Sequence, residues 1–343
     1  MIEASDARGA EEGQARYAVL RDADALAWLR KRVRARFDVP DGTSMDLLFP
    51  KSGLRTPIAV ARWDGDGVVV KVFRRPRAFL RTAWQLQHLH ARGLPVPRLH
   101  AWSIRSYFSP LRGYLMIEQY VAGDTIRGVA EERRPDALAR IARALATLHE
   151  CRRRWHGHIF LPRPGSYARF CLPLVLARLG RLERFADAHR IAELRATLAR
   201  RARETAQPDA YSLLHGHVNH GNFIVGEREA VLIDTASAHY GDPARDLVRA
   251  FHRLCRGAEE AAHFQDAYLA GRTGTAQEQL ARSEPLYACD YVIRLTARQV
   301  RAARRDPTVD EAEPRARVAR RLELCSRLLD AAGSRFRELM AEL

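Results

Sequence analysis

Lysine is nearly absent from this 343-residue chain: Lys31, Lys51 and Lys71 stand against 54 arginines in a total of 57 basic residues. Positive charge is therefore carried almost wholly by planar guanidinium groups rather than compact ammonium groups. Paired cysteines are missing as well. Cys151, Cys171, Cys255, Cys289 and Cys325 are scattered, odd in number and without a CxxC pair. That pattern excludes a disulfide frame or zinc ribbon and fits reduced, mostly buried thiols in a cytoplasmic protein. No run approaches the roughly 18–20 apolar residues of a membrane span. Residues 1–16 are polar and acidic with no apolar stretch, so they are expected to be disordered and not a secretory signal. No interleaved aromatic-basic motif of a nucleic-acid reader is present, and no nucleic-acid partner is expected.

What is there is an ordinary globular composition, 47% apolar and 29% charged, enough to bury one large core or two lobes. The net charge of +16 should attract anionic partners: nucleotides, phosphorylated sugars or, by peripheral contact, an acidic membrane face.

Periodicity divides the chain. Residues 17–38 have helical spacing (Leu26, Leu29, Val33, Phe37), and three β-rich runs follow at 44–49, 56–63 and 67–73. "DGDG" at 64–67 is a hairpin signal, because Asp and Gly tolerate positive φ. A helix over 77–92 ends at Gly93 and "PVP", and strands are expected at 101–104 and 113–121. From Pro135 the pattern is mainly helical, with helices over 135–151, 172–206 (Leu174 and Leu179 on its apolar face) and 314–339. A single β interruption is expected at 222–237, turning near Gly226–Glu229. The last helix has coiled-coil-like spacing and is read as packed on its own lobe; monomer and homodimer both stay open. The expected fold class is α+β, a small antiparallel β lobe (17–121) followed by a larger, mostly helical lobe (122–343).

Three signals carry chemistry. Lys71 sits mid-strand in "VVVKVF", where a lone cation is costly unless it meets an anion. "HGHVNHGN" (215–222) precedes the hairpin and ends in Asn222, an amide oxygen donor. "VLIDTAS" then places Asp234 at the end of an apolar strand, where a carboxylate can reach a metal bridging phosphates. Each is weak alone; strand Lys, His-Gly-x₅-Asn, strand-Asp and "YGDPARDL" in that order are much more specific.

Residues 215–247 resemble the aminoglycoside phosphotransferase/choline kinase family of the protein-kinase-like fold. "GVVVKVF" and "LHARGLPVPRLHAW" are also similar to lipopolysaccharide core sugar kinases. The resemblance spans residues 45–255 and implies an ATP- and Mg²⁺-dependent kinase acting on a small molecule or sugar. It implies that Lys71 pairs with the nucleotide phosphates and that backbone groups from Glu118 to Tyr120 bind adenine. Asn222 and Asp234 would hold Mg²⁺, Asp246 would brace the catalytic loop, and "PKSGLRT" (50–56) would cover the nucleotide.

Two departures stand out. His217 replaces the aspartate that accepts the acceptor's hydroxyl proton. The 77–92 helix contains no Asp or Glu, so the glutamate expected near Ala83 is missing, and Lys71 is left with Asp234 as the only acidic motif residue placed to meet it. A neutral imidazole can accept a proton near neutrality, and a general base contributes about 10²–10⁴-fold. His220 or His215 could substitute, although His215 reads as structural. The sequence thus points to a phosphotransferase with His217 as an altered base. The alternatives are a nucleotide-binding pseudokinase and a kinase-fold AMP transferase.

Overall fold

Asp64 and Gly65 both take positive φ, 41° and 87°, the left-handed pair that closes a two-residue hairpin in step with strand twist. They join β2 (Ile58–Trp63) to β3 (Asp66–Phe73). The computed structural model describes residues 22–40, 43–48, 56–205, 209–270, 272, 274–303, 312–331 and 333–343. Residues 1–16 and nearly all of the 50–56 segment lie outside the described residues. The chain divides into two compact units, Met1–Ala122 and Gly123–Leu343.

In the first unit β1 (Asp46–Leu48), β4 (Leu99–Ser103) and β5 (Tyr114–Gln119) complete an antiparallel sheet of order β1-β2-β3-β5-β4. Strand alternation assigns its two faces. Val68, Val70, Val72, Leu115 and Ile117 pack with Ala25, Leu29 and Val33 of α1 (Ala23–Phe37). The other face carries Lys71, Met116 and Glu118. There Phe73 and Met116 pack against Phe79 and Ala83 of α2 (Pro76–His90). Full burial of each large aliphatic side chain contributes about 1.5–3 kcal/mol, which holds both helices to the sheet.

The second unit is built around α3 (Arg134–Glu150), which buries Ala137, Leu138, Ile141, Ala142, Leu145 and Leu148 among other positions. Helices α4 (Tyr167–Gly180), α5 (Ala188–Glu204), α6 (Ala244–Leu254), α7 (Ala258–Leu269), α8 (Gly274–Ala303), α9 (Ala312–Asp330) and α10 (Gly333–Ala341) follow. Arg134 clamps α3 to α7 through both carboxylate oxygens of Glu260, at 2.8 and 3.1 Å, and donates to the Leu254 carbonyl at 2.6 Å. No helix among the described residues is long and apolar enough to cross a membrane.

Three expectations are corrected here. The helix expected over 172–206 is two helices, because the chain turns after Gly180 and restarts where the Asp187 side chain caps Arg190 N–H at 3.0 Å; Leu174 is exposed rather than facing the core. The helix expected over 314–339 breaks between Asp330 and Gly333. The β content of this unit is larger than one hairpin. β6 (Arg152–Arg153), β7 (His156–His158), β8 (Leu161–Arg163), β9 (Tyr211–Leu214) and β12 (His239–Gly241) form a second sheet of order β6-β9-β12-β7-β8. Strands of two to four residues, several of them Arg- or His-rich, are too short for periodicity to register. Among the cysteines, Cys171, Cys289 and Cys325 are buried and all five are free thiols.

Two carboxyls are buried beside the start of α6. Burial pushes Asp242 up to about 6, against hydrogen bonds from Ala244 N–H and the Ser283 hydroxyl. Burial pushes Glu284 up to about 7, helped by Asp242 and opposed by Arg337, and its Oε1 has no hydrogen-bond partner. A raised carboxyl pKa stabilises the fold below the unfolded value and loses that stabilisation as pH rises through the folded one. Glu284→Gln is therefore expected to raise the unfolding temperature relative to wild type at pH 8 and to match it near pH 4.5. The difference should be on the order of 2–3 kcal/mol, read by thermal unfolding across pH. His239 and His252, which burial pushes down to about 4, act oppositely in both proteins and cancel in the comparison.

Candidate active site

Asp246, on the first turn of α6, is fully buried. Its carboxylate accepts hydrogen bonds from the N–H groups of His215 at 2.6 Å and Gly216 at 3.1 Å. Burial opposes its charge, but His149 and Arg249 outweigh burial and hold the carboxyl well below the usual range. His149 is itself kept neutral by burial. Its Nε2–H points to Asp246 at 3.5 Å while Nδ1 accepts from the Tyr268 hydroxyl at 2.7 Å, and these partners assign the tautomer. Arg249 donates to the Gly216 carbonyl. Gly216 has φ +75°, and a Cβ there would meet the Ser237 carbonyl at 2.3 Å. The loop is thus pinned by backbone contacts on both sides of Gly216.

His215 is part of that scaffold. Burial lowers its pKa, Nε2–H donates to the Ile233 carbonyl at 2.9 Å and Nδ1 accepts His217 N–H at 3.3 Å. Both nitrogens are occupied, so His215 has no lone pair for an acceptor's proton. Burial also lowers the pKa of His220, with Arg127 and Arg253 acting in the same direction.

The hairpin β10 (Phe223–Val225) and β11 (Ala230–Leu232) brings the remaining residues together. Its register pairs Phe223 with Leu232, and Ile233 N–H donates to the Asn222 carbonyl at 3.0 Å. Asn222 and Asp234 are therefore held at the same end of the ladder. The Asn222 amide nitrogen donates to the His217 carbonyl at 2.8 Å, which commits Nδ2 and orients Oδ1. Asp234 adopts the left-handed region, φ 57° and ψ 49°, at the start of a 3₁₀ turn, a conformation Asp tolerates better than most residues. Its Oδ2 lies 3.3 Å from His217 Nδ1, and both side chains are about half exposed.

In the first unit, Lys71 has a partner that the sequence did not offer. Its Nζ pairs with Glu118 Oε1, and both side chains are largely buried. Register explains the contact: Val69 pairs with Glu118 and Lys71 with Met116, so Lys71 and Glu118 are diagonal neighbours on one face. The expectation that Lys71 lacked a carboxylate of its own is corrected: β5 supplies it instead of α2. The signal was a lone acid in "YLMIEQ" matching a lone cation in "VVVKVF". The backbone of Glu118 is taken up in the ladder, and Gln119 and Tyr120 donate their N–H groups to the carbonyls of Arg98 (2.8 Å) and Gly67 (3.3 Å). The Tyr120 ring lies under the Arg62 guanidinium.

Sequence inspection also missed a guanidinium cluster behind the loop. Arg178 donates to Asp290 Oδ1 at 2.8 Å, and Arg245 lies 3.7 Å from Oδ2 while donating to the Tyr167 hydroxyl. Partly buried Arg294 is pushed down to about 10 by burial and by Arg249, with Arg245 and Arg178 acting alike and Asp290 opposing. Among the described residues Arg294 has no hydrogen-bond acceptor, and its guanidinium lies over the Tyr291 ring, 5.4 Å from the centroid.

Residues 49–281 match the model of the phosphotransferase enzyme family, APH. The chain belongs to that family. Solved phosphotransferases share its fold. An apo aminoglycoside phosphotransferase APH(4)-Ia, a thermostable mutant, is 15% identical with a TM-score of 0.58 over 85% of this chain and 98% of that one. A second mutant of that enzyme, in a ternary complex with ADP and hygromycin B, is 16% identical with a TM-score of 0.57 over 85% and 97%. An ethanolamine kinase from Plasmodium vivax is 14% identical with a TM-score of 0.55 over 89% of each chain. No curated protein matches the chain by sequence. The architecture of this family member is accordingly the α+β, two-lobed, protein-kinase-like fold, with a small antiparallel β lobe and a larger helical one.

Because removing one partner of a buried charge network typically costs about 3–5 kcal/mol, Asp246→Asn is expected to destabilise the protein by that order in denaturant unfolding at pH 7. A depressed carboxyl pKa contributes stability above its unfolded value and loses it as pH falls through the folded one. The gap between wild type and Asp246→Asn should therefore narrow below about pH 4.

Proposed function

We propose that this phosphotransferase moves the γ-phosphate of ATP to a hydroxyl of a small anionic molecule, such as a phosphorylated sugar, with His217 as the general base. The observation that carries this is the His217–Asp234 contact. With Nδ1–H directed at Asp234 Oδ2, the imidazole presents Nε2 as its basic nitrogen, the way a carboxylate orients histidine in hydrolytic triads. The acceptor O–H proton passes to Nε2 as its oxygen bonds to the γ-phosphorus, the bond to the β-phosphate oxygen breaks, and ADP leaves.

Asn222 Oδ1 and the Asp234 carboxylate are hard oxygen donors, and two such ligands suit Mg²⁺, which keeps waters and phosphate oxygens as its others. Mg²⁺ held there would neutralise charge on the transferring phosphates. Lys71 would bind the nucleotide phosphates, with Glu118 fixing its ammonium. Since the N–H groups of Gln119 and Tyr120 are engaged internally, adenine would be met by the connector from Val121 onward, not by Tyr120 N–H. The nucleotide reading is supported by the relative that binds ADP. An anionic acceptor is supported by Arg294 and its neighbours Arg178, Arg245 and Arg249, whose positive charge exceeds that of the two carboxylates among them, Asp290 and Asp246, since desolvated charge demands a counter-ion.

Transfer from γ-labelled ATP to a panel of sugars and their phosphomonoesters tests the reaction. Wild type should favour the phosphomonoester of each pair. His217→Ala should lose about 10²–10⁴-fold in kcat, while His217→Asp should keep or raise turnover. If neither wild type nor His217→Asp used any acceptor, a nucleotide-binding pseudokinase would be the better description, and label transferred only from α-labelled ATP would point to AMP transfer.

Glu118→Gln separates the phosphate end from the adenine end. Titration calorimetry should show about tenfold weaker MgATP binding, the size of one charge-assisted contact, with adenosine binding unchanged. Equal losses for both ligands would mean that Glu118 only supports the sheet.

A further inference from the structure

From Gly67 to Ile117 the chain contains no Asp or Glu, yet it carries Lys71 and eight arginines: Arg74, Arg75, Arg77, Arg81, Arg92, Arg98, Arg105 and Arg112. Apart from Lys71, these cations are exposed. The same segment holds an unusual concentration of exposed large apolar side chains. Trp84, Trp102, Ile104, Tyr107 and Phe108 are all open to solvent, Phe108 to 88%.

Packing explains why these side chains stand out from the surface. Phe79 of α2 lies against Trp102 and Tyr114, with ring centroids 5.8 and 5.4 Å apart. Tyr114 stacks on Tyr107 at 5.3 Å, and Tyr107 meets Phe108 at 5.7 Å. The rings form a continuous row running from the covered face of the sheet to a fully exposed tip. The tip is rigidly held. Residues 105–108 form a 3₁₀ turn, and the buried Ser106 hydroxyl donates to Gly113 O at 2.7 Å and accepts Leu115 N–H at 2.8 Å. Arg105 and Arg112 flank the turn, and Arg74 donates to the Arg112 carbonyl at 2.7 Å, bringing the start of α2 beside it. On α2 itself Arg77, Arg81 and Trp84 recur at i, i+4 and i+7, one exposed stripe.

We propose that this aromatic-arginine face of the first unit docks on an anionic lipid surface. Phe108 and Tyr107 would enter the headgroup region, and the surrounding guanidiniums would pair with lipid phosphates. Aromatic side chains sit well at that interface, and juxtaposed basic groups add attraction to anionic lipids. An apolar tip carried on a rigid turn favours a lipid partner over a nucleic acid, which would need aromatics interleaved in a groove that tracks a backbone. The inference stands independently of the phosphoryl-transfer reading.

The test is co-sedimentation of the full chain with vesicles of phosphatidylcholine, alone or with one quarter phosphatidylglycerol. Wild type should bind the anionic vesicles at least tenfold more tightly than the neutral ones and release in high salt. Phe108→Ser should weaken that binding about tenfold, and Arg105→Gln with Arg112→Gln about as much. Both sites are exposed, so thermal unfolding should be unchanged and the loss will not reflect misfolding. Equal binding to both vesicle types, unchanged binding by Phe108→Ser, or displacement by duplex DNA that is itself insensitive to Phe108→Ser would overturn the proposal.

Discussion

The geometry of the loop at 215–222 depends on one buried carboxylate. Asp246 is out of water, yet it stays ionised because two backbone N–H groups, a neutral imidazole and a nearby guanidinium replace its hydration. An unsatisfied charge there would be intolerable, so the carboxylate dictates where His215 and Gly216 must lie. From that fixed point the rest is local. His215 is locked by Ile233 and His217, Asn222 is tied to the His217 carbonyl, and the hairpin sets Asp234 beside them.

Seen this way, the two departures from the family pattern have different characters. Replacing aspartate by His217 changes the group at the tip of the loop but not the loop, because the contacts that shape it use backbone atoms at that position. The missing glutamate of α2 is offset inside the first unit. An antiparallel sheet places diagonal neighbours on one face within reach of long side chains, so a carboxylate on β5 reaches the same ammonium that a helix would otherwise serve. The helix position near Ala83 is then free to pack as apolar core.

Much of this was legible in the sequence because it rests on local chemistry. The "DGDG" turn and the alternation of Val68, Val70 and Val72 follow from backbone requirements that a few adjacent residues meet, and the ordered run of Lys71, Asn222, Asp234 and "GDPARDL" follows the motif order of the family. Other features were not legible. The second sheet is assembled from two- to four-residue strands, shorter than any period. The breaks at Gly180–Asp187 and Asp330–Gly333 interrupt continuous leucine spacing. The Tyr268–His149–Asp246 relay joins residues 22 to 119 positions apart.

The sequence by itself determined the family, the small β lobe and helical lobe, and the order of Lys71, Asn222 and Asp234 along the chain, because those depend on residue type and short spacing. Only the tertiary structure decided which charge meets which. Glu118 for Lys71, Asp234 for His217 and an unmatched Arg294 beside Asp290 are outcomes of strand register and helix packing. Coulomb energy and desolvation depend on distances in space, and no spacing along the chain encodes them.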